Sequence, residues 1–286
     1  MSGDYLLVQL ANGEKTLFSA SYGEKMHPGL GPTAEAELLY VRQLNICERL
    51  RANQGEFVIW DVGLGAAANA IAALKATREI HGELHLVSFD NTIGPLQFAL
   101  ENAEALGYVT GYESYLRALV RDRRVAFENG KLKVRWEFYV GDFPQLISAG
   151  LSNASFAAPH AIFYDAFSPA KNPAMWTLPV FQDLFQSLDP ARPCALTTYS
   201  RSTLIRATLL LAGFFVGVGH ATGMKEETTI AANDLALIAE PLDKRWLERA
   251  ARSDSAEPLR EGKYSRLPIT AESLAKLKRH PQFATA

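Results

Sequence analysis

Two hydrophobic rhythms run through the chain. Short apolar runs, Phe57 to Asp61, Leu84 to Phe89, Ala161 to Tyr164 and Cys194 to Tyr199, predict strands buried on both faces. Between them, apolar residues recur at helical spacing in Ala66 to Ala76, Pro95 to Leu106, Tyr115 to Arg121, Gln145 to Ala149, Leu178 to Leu188 and Ser202 to Ala212. Gly107 and Gly213 stand where C-caps are expected. Asn-Gly pairs predict two hairpins, one joining Tyr5–Leu10 to Lys15–Ser19 and one joining Arg124–Phe127 to Leu132–Val140. A Gly/Pro-punctuated loop over 21–32 leads to a helix over Glu35 to Glu48, capped by Thr33. Phe214 to Gly219 and Leu235 to Ala239 read as a closing antiparallel pair. Beyond Pro241 the pattern turns polar, with little core expected.

Strands alternating with helices predict an α/β fold, a doubly wound sheet that is mostly parallel with a terminal antiparallel strand pair. The expected division is an N-terminal hairpin and helix extension over 1–50, a main domain over 51–240 and a polar tail over 241–286.

Composition adds limits. The chain has 286 residues, 48% hydrophobic, enough to bury one large core. A formal charge of −2 argues against non-specific nucleic-acid binding but leaves room for RNA met by a local basic patch. Cys47 and Cys194 lack metal-ligand spacing, and His81, His85, His160 and His220 show none either, so no metal is expected. With no signal-like N-terminus and no membrane span, the expected setting is the cytoplasm.

The chemistry gathers at strand ends. Asp61, Asp90, Asp142 and Asp165 each follow a predicted core strand, where open α/β sheets keep their ligands. Gly63 and Gly65 let the backbone approach a ligand at a helix start. A dinucleotide loop would carry a third glycine where Ala68 stands, and an acid at position 61 would repel a phosphate. Asp61 suits instead the ammonium of an amino-acid-bearing cofactor, which favours S-adenosylmethionine. Asp90 is placed for a ribose diol and Asp142 for an adenine amino group. Each acid taken singly is equally well a turn former.

Taken together, the segments Thr16–His27, Glu35–Val41, Asp61–Asn69, Trp136–Phe143 and above all Asp165–Thr177 resemble the methyltransferase domain of MnmC-type enzymes. Thr197–Ser200 and Gly223–Glu226 look like later family positions. The resemblance implies a Rossmann-like class I methyltransferase sheet and a stand-alone enzyme without an FAD oxidase domain. The implied reaction is methylation of the aminomethyl group of wobble 5-aminomethyl-2-thiouridine in tRNA, with another enzyme supplying that amine and the tRNA anticodon region as partner. It implies Asp165 as the catalytic residue, orienting the amine and accepting its proton. It adds Asn69 to the cofactor side. Phe167 and Trp176 would stack on a splayed base, Lys171 and Lys225 would meet phosphate, and Tyr199 and Glu37 would face the same pocket. The family's third glycine is replaced here by Ala67, which is expected to narrow the turn. His27 reads as a loop residue. A methyl- or aminopropyltransferase of small amines and a cofactor-poor tRNA-binding scaffold are the alternatives.

Overall fold

In the computed structural model, which describes residues 4–153, 156–222 and 226–284, the apolar runs become the strands of one eight-stranded sheet. The chain starts with β1 (Tyr5–Gln9) and β2 (Lys15–Ser19), paired antiparallel, to which β3 (Glu24–Lys25) adds a third short strand. β4 (Glu56–Val62) and β5 (Gly82–Asp90) follow, then the hairpin of β6 (Arg124–Asn129) and β7 (Leu132–Val140). β8 (Ala161–Tyr164), β9 (Ala195–Thr198), β10 (Phe215–Gly219) and β11 (Thr228–Ala232) complete the large sheet.

The order across that sheet is β10-β11-β9-β8-β4-β5-β7-β6, with the five strands from β9 to β7 parallel. The antiparallel β6 lies at one edge and the antiparallel pair of β11 and β10 at the other. After β4 the chain moves outward through β5 and β7, then returns to the opposite side of β4 as β8. The carboxyl ends of β4 and β8 flank the resulting crevice. Pairing of Val62 with Tyr164 brings the residues just past both strands side by side.

Alternation along β4 supplies two cores. Phe57 and Ile59 face the Ala-rich helix Ala68–Thr77 with Leu39, Tyr40 and Val41. Val58, Trp60 and Val62 face the helices Leu178–Gln186 and Thr203–Ala212. Ser202 caps the latter helix by accepting from the Ile205 N–H, and Gly213 ends it at φ 114°.

Three expectations are corrected. The strand expected over Leu235 to Ala239 is β11, seven residues earlier at its start, and Leu235–Leu237 is a 3-10 turn capped by Asp234. The small β-branched run Thr228–Ala232 is buried throughout, whereas the Asn-Asp pair after it favours a turn. The helix over 35–48 is interrupted: Pro32–Ala36 is α, Glu37–Arg42 is π, and Asn45 at φ 50° separates these from Ile46–Ala52. Gly31, not Thr33, precedes the first turn.

The segment past 241 does build core. Leu242, Trp246, Leu247, Leu259, Leu277 and Phe283 are buried in the second cluster. The Gln282 side chain accepts from the Val216 N–H and donates to the Val216 and Leu242 carbonyls, covering the open edge of β10. The few apolar residues of this segment serve three short helices and are masked by the charges between them. Among the described residues no helix is long and apolar enough to cross a membrane.

Candidate active site

A cavity of about 730 Å³ opens at the carboxyl ends of β4, β5, β7 and β8 and is roofed by the N-terminal segment from Tyr22 to Gly29. Its floor is the turn after β4. Gly63 has φ 97°, and a Cβ there would lie 2.7 Å from the Asp165 carbonyl oxygen. Gly65, at φ 52°, faces the Met26 sulfur. Both positions need glycine, the first for lack of space as well as for its left-handed backbone. Ala67 takes the left-handed conformation too, φ 62° and ψ 21°, so the turn keeps the path a glycine would give it.

Asp90 braces this turn. Its Oδ2 accepts from the Gly65 N–H at 2.8 Å and its Oδ1 from the Thr92 N–H at 3.2 Å. Burial pushes its pKa up to about 6, although the N–H groups of Gly65, Thr92 and Asn91 pull the other way. Asp142, just past the end of β7, and the neighbouring Phe143 line the same cavity.

Asp61 does not reach the cavity. It is fully buried, with Oδ2 accepting from the Ser88 hydroxyl at 3.2 Å and Oδ1 without a hydrogen-bond partner among the described residues. Burial first, and the nearby Asp165 charge second, push its pKa up to about 7. The direct ammonium contact expected of Asp61 is therefore corrected: its side chain lies on a face of the sheet, between Ser88 and Phe163 of the neighbouring strands.

Asp165 takes the central place. Asn69 donates its Nδ2 to Asp165 Oδ2 at 2.8 Å, and His27 Nε2 lies 3.2 Å from the same oxygen. Burial would raise the Asp165 pKa, but bonding from His27, the His27 charge, and bonds from Asn69 and Tyr40 bring it below the ordinary carboxylate value. His27 shows the converse: burial would lower its pKa, yet Asp165, Glu35 and Asn69 hold it above the usual imidazole value. Asn69 thus touches Asp165 and not the open cavity.

The loop after Asp165 sorts the remaining residues. Phe167 lines the cavity, stacked on Tyr22 with ring centroids 4.1 Å apart. Tyr199 lines it as well, its hydroxyl donating to the Ala166 carbonyl at 2.8 Å. Trp176 is wholly buried against Tyr164, Phe181 and Tyr199, its indole N–H donating to the Phe167 carbonyl at 2.8 Å. With no free face, it shapes the loop and offers no base a platform. Lys171 is exposed on the rim beside Gly23, outside the cavity lining. Glu37 is turned away to pair with Arg42 at 3.0 Å and does not line the cavity, contrary to expectation. Lys225 lies outside the described residues.

Sequence reasoning passed over four cavity residues: His27, Glu24, Tyr22 and Glu35. Glu24 accepts from the Ser168 N–H at 3.1 Å and from its hydroxyl. Glu35 accepts from the N–H groups of Gly29 and Leu30 at 2.5 and 2.9 Å. The signal for them was the clustering of charged and aromatic residues around the glycines from Gly23 to Gly31. Among the described residues no group of three or more His, Cys, Asp or Glu is set to hold a metal ion.

Residues 107–234 match the model of a family described as S-adenosyl-L-methionine-dependent methyltransferase. The match includes Asp142, Asp165 and Tyr199 and leaves the glycine turn outside. The tRNA 5-methylaminomethyl-2-thiouridine biosynthesis bifunctional protein MnmC of Cupriavidus necator is 28% identical over 256 residues, covering 85% of this chain and 37% of its own. The protein of the same description from Aeromonas salmonicida is 26% identical over 270 residues, with coverage of 85% and 37%. The chain thus spans little more than a third of the length of these curated relatives. The crystal structure of MnmC2 from Aquifex aeolicus superposes with a TM-score of 0.68 at 24% identity, over 96% of this chain and 85% of that one, and has the same fold. Residues 107–234 are thus similar to an S-adenosyl-L-methionine-dependent methyltransferase family, and the chain shares the α/β fold of the Aquifex structure.

Proposed function

We propose that the protein is an S-adenosylmethionine-dependent N-methyltransferase that converts the aminomethyl group of wobble 5-aminomethyl-2-thiouridine in tRNA to methylaminomethyl. One observation carries this reading: the Asp165 carboxylate opens into the same cavity as the Gly63–Gly65 turn and Asp90, and the Asp165 carbonyl touches Gly63. An acceptor amine held by Asp165 therefore meets whatever the glycine turn holds. The printed descriptions of the curated relatives support tRNA as the source of that amine.

The residues present fit the cofactor. Gly63 and Gly65 form a cradle that a Cβ would fill. Asp90 keeps lone pairs free for a ribose diol, and Asp142 with Phe143 flanks the space for an adenine. Asn69 and Asp61 lie behind this surface, the first fixing Asp165 and the second bonded to Ser88. When bound, the cofactor supplies a methyl group on a sulfonium.

The protein's own work is positioning. Only a neutral amine has a lone pair to give, and a free alkylammonium has a pKa of roughly 10. Asp165 accepts a hydrogen bond from the amine N–H and aims its lone pair, which removes most of the entropic barrier. Phe167 and Tyr22 offer a stacked aromatic wall for a splayed base, and Lys25 and Lys171 stand at the rim for the phosphates of an anticodon region. The amine must be supplied by an enzyme acting earlier on the same tRNA.

The test is incubation with methyl-labelled S-adenosylmethionine and tRNA bearing 5-aminomethyl-2-thiouridine, followed by nucleoside analysis. Label in the methylaminomethyl nucleoside is the expected result. Label found only on small amines such as putrescine would sink the tRNA assignment.

A further inference from the structure

His27 is built into the site with care that a loop residue does not need. Its backbone is left-handed, φ 53°, in a residue with a full side chain. The neighbours on both sides are tied down. Met26 donates its N–H to the Leu17 carbonyl and accepts from the Thr16 hydroxyl, while Glu35 holds the N–H groups of Gly29 and Leu30. The ring between these anchors is driven inward until only 12% of the side chain is exposed.

Its partners fix its proton. Asn69 donates Nδ2 to Asp165, which leaves Asn69 Oδ1 facing His27 Nε2 at 3.3 Å. Nε2 therefore meets two acceptors, Asn69 Oδ1 and Asp165 Oδ2, and must carry a hydrogen. The charged groups around the ring are Asp165 and Asp61 at the strand ends, Glu35 on the following helix, and Glu24 and Lys25 on its own segment. Acids outnumber bases, which favours the imidazolium.

We propose that His27 is a positioning residue for the acceptor amine: as an imidazolium paired to Asp165, it neutralises that carboxylate so that the amine binds without its proton. The proposal rests on the methyl-transfer reading above. A bare carboxylate facing the pocket would hold the substrate as an ammonium, whose nitrogen has no lone pair. Paired with His27, Asp165 still accepts an N–H bond and still orients the nitrogen, but as half of a neutral couple it no longer retains the extra proton. On transfer the amine nitrogen binds the methyl carbon through its lone pair, the bonding pair stays with sulfur, and the positive charge passes to nitrogen. The secondary ammonium then releases its proton to solvent. The upward displacement of the His27 pKa and the depression of that of Asp165 agree with such a couple.

The experiment is a single-turnover pH–rate profile of the wild type and His27→Gln with tRNA bearing 5-aminomethyl-2-thiouridine. It is joined to an NMR titration of the His27 ring in the wild type and in Asp165→Asn. In His27→Gln the rate at pH 7 falls more than tenfold and recovers toward the wild-type rate in alkali, its apparent pKa higher by about 1 to 2 units. The wild-type ring stays protonated through pH 7, and Asp165→Asn lowers its titration. A loss equal at every pH, an unshifted profile, or a wild-type ring titrating below the ordinary imidazole value overturns the proposal. The wild-type titration needs no variant to fold. No transfer by the wild type at any pH overturns the underlying function instead, an outcome distinct from an unshifted profile.

Discussion

Glu24 and Ser168 face each other across the cavity mouth and are bonded twice, the carboxylate accepting both the N–H and the hydroxyl of the serine. The contact ties the N-terminal roof to the loop that follows Asp165. Replacing Glu24 by Ala frees the two from each other. On the proposed function, a rise in KM for the tRNA and a fall in kcat/KM of about tenfold are expected. The cost in stability is about 1.5 to 3 kcal/mol, the range for bonds to a charged group. Steady-state kinetics with urea denaturation checks both.

On the proposed function, Asp165→Ala removes the hydrogen bond that would orient the amine and is expected to lower kcat by about 10²- to 10⁴-fold. It also strands His27, with a defined pH signature. The Asp165 pKa is depressed in the fold, so its stabilisation is present above the unfolded value of about 3.9 and is lost as pH falls through the folded value. The His27 pKa is raised, so its stabilisation is full below about 6.5 and is lost as pH rises through the folded value. The gap in stability between wild type and variant is therefore widest near pH 5 to 6 and narrows at pH 9. Chemical denaturation at the two pH values measures it.

Asp61 has the opposite sign. Its pKa is raised to about 7, so its stabilisation is full below about 3.9 and is lost as pH rises through about 7. Asp61→Asn, which keeps an acceptor for Ser88, matches the wild type near pH 4 and exceeds it at pH 8 by at least ~1 kcal/mol. Thermal melts at pH 4 and 8 would show it, and equal melting temperatures at pH 8 would contradict it.

The glycine turn allows a paired comparison. Gly63→Ala strains a positive φ and forces a methyl group against the Asp165 carbonyl, at a cost of about 2 to 4 kcal/mol. Ala67→Gly relieves the left-handed alanine and is neutral or stabilises by up to ~1 kcal/mol. Isothermal calorimetry with S-adenosylmethionine should show binding lost in the first variant and within a few-fold of wild type in the second.

The sheet was legible in the sequence because its central strands are apolar on both faces, and the strand-end acids stood out against them. β11 was missed because four of the five residues from Thr228 to Ala232 are Thr or Ala, buried by position and not by bulk. The direction of a side chain was harder to read than its place in the chain. Asp61 and Asp165 look alike in sequence, but Asp61 lies inside its strand and faces Ser88, whereas Asp165 lies one residue past Tyr164 and turns into the cavity. Trp176 has the composition of a stacking platform and the surroundings of a core residue. His27 could not be assigned from spacing, because its partners Asn69 and Asp165 are 42 and 138 positions away and meet it only through the crossover between β4 and β8.

The contact of Gly63 with the Asp165 carbonyl is made by main chain on both sides. The separation of the glycine turn from Asp165 is thus set by two strands in register, and at these two residues only the addition of a Cβ at Gly63 disturbs it. Divergence toward a different amine would have to work elsewhere, in the roof from Tyr22 to Gly29 and the aromatic wall. On the proposed function, the main chain fixes the reaction distance and the choice of acceptor is left to the side chains of the roof and the aromatic wall.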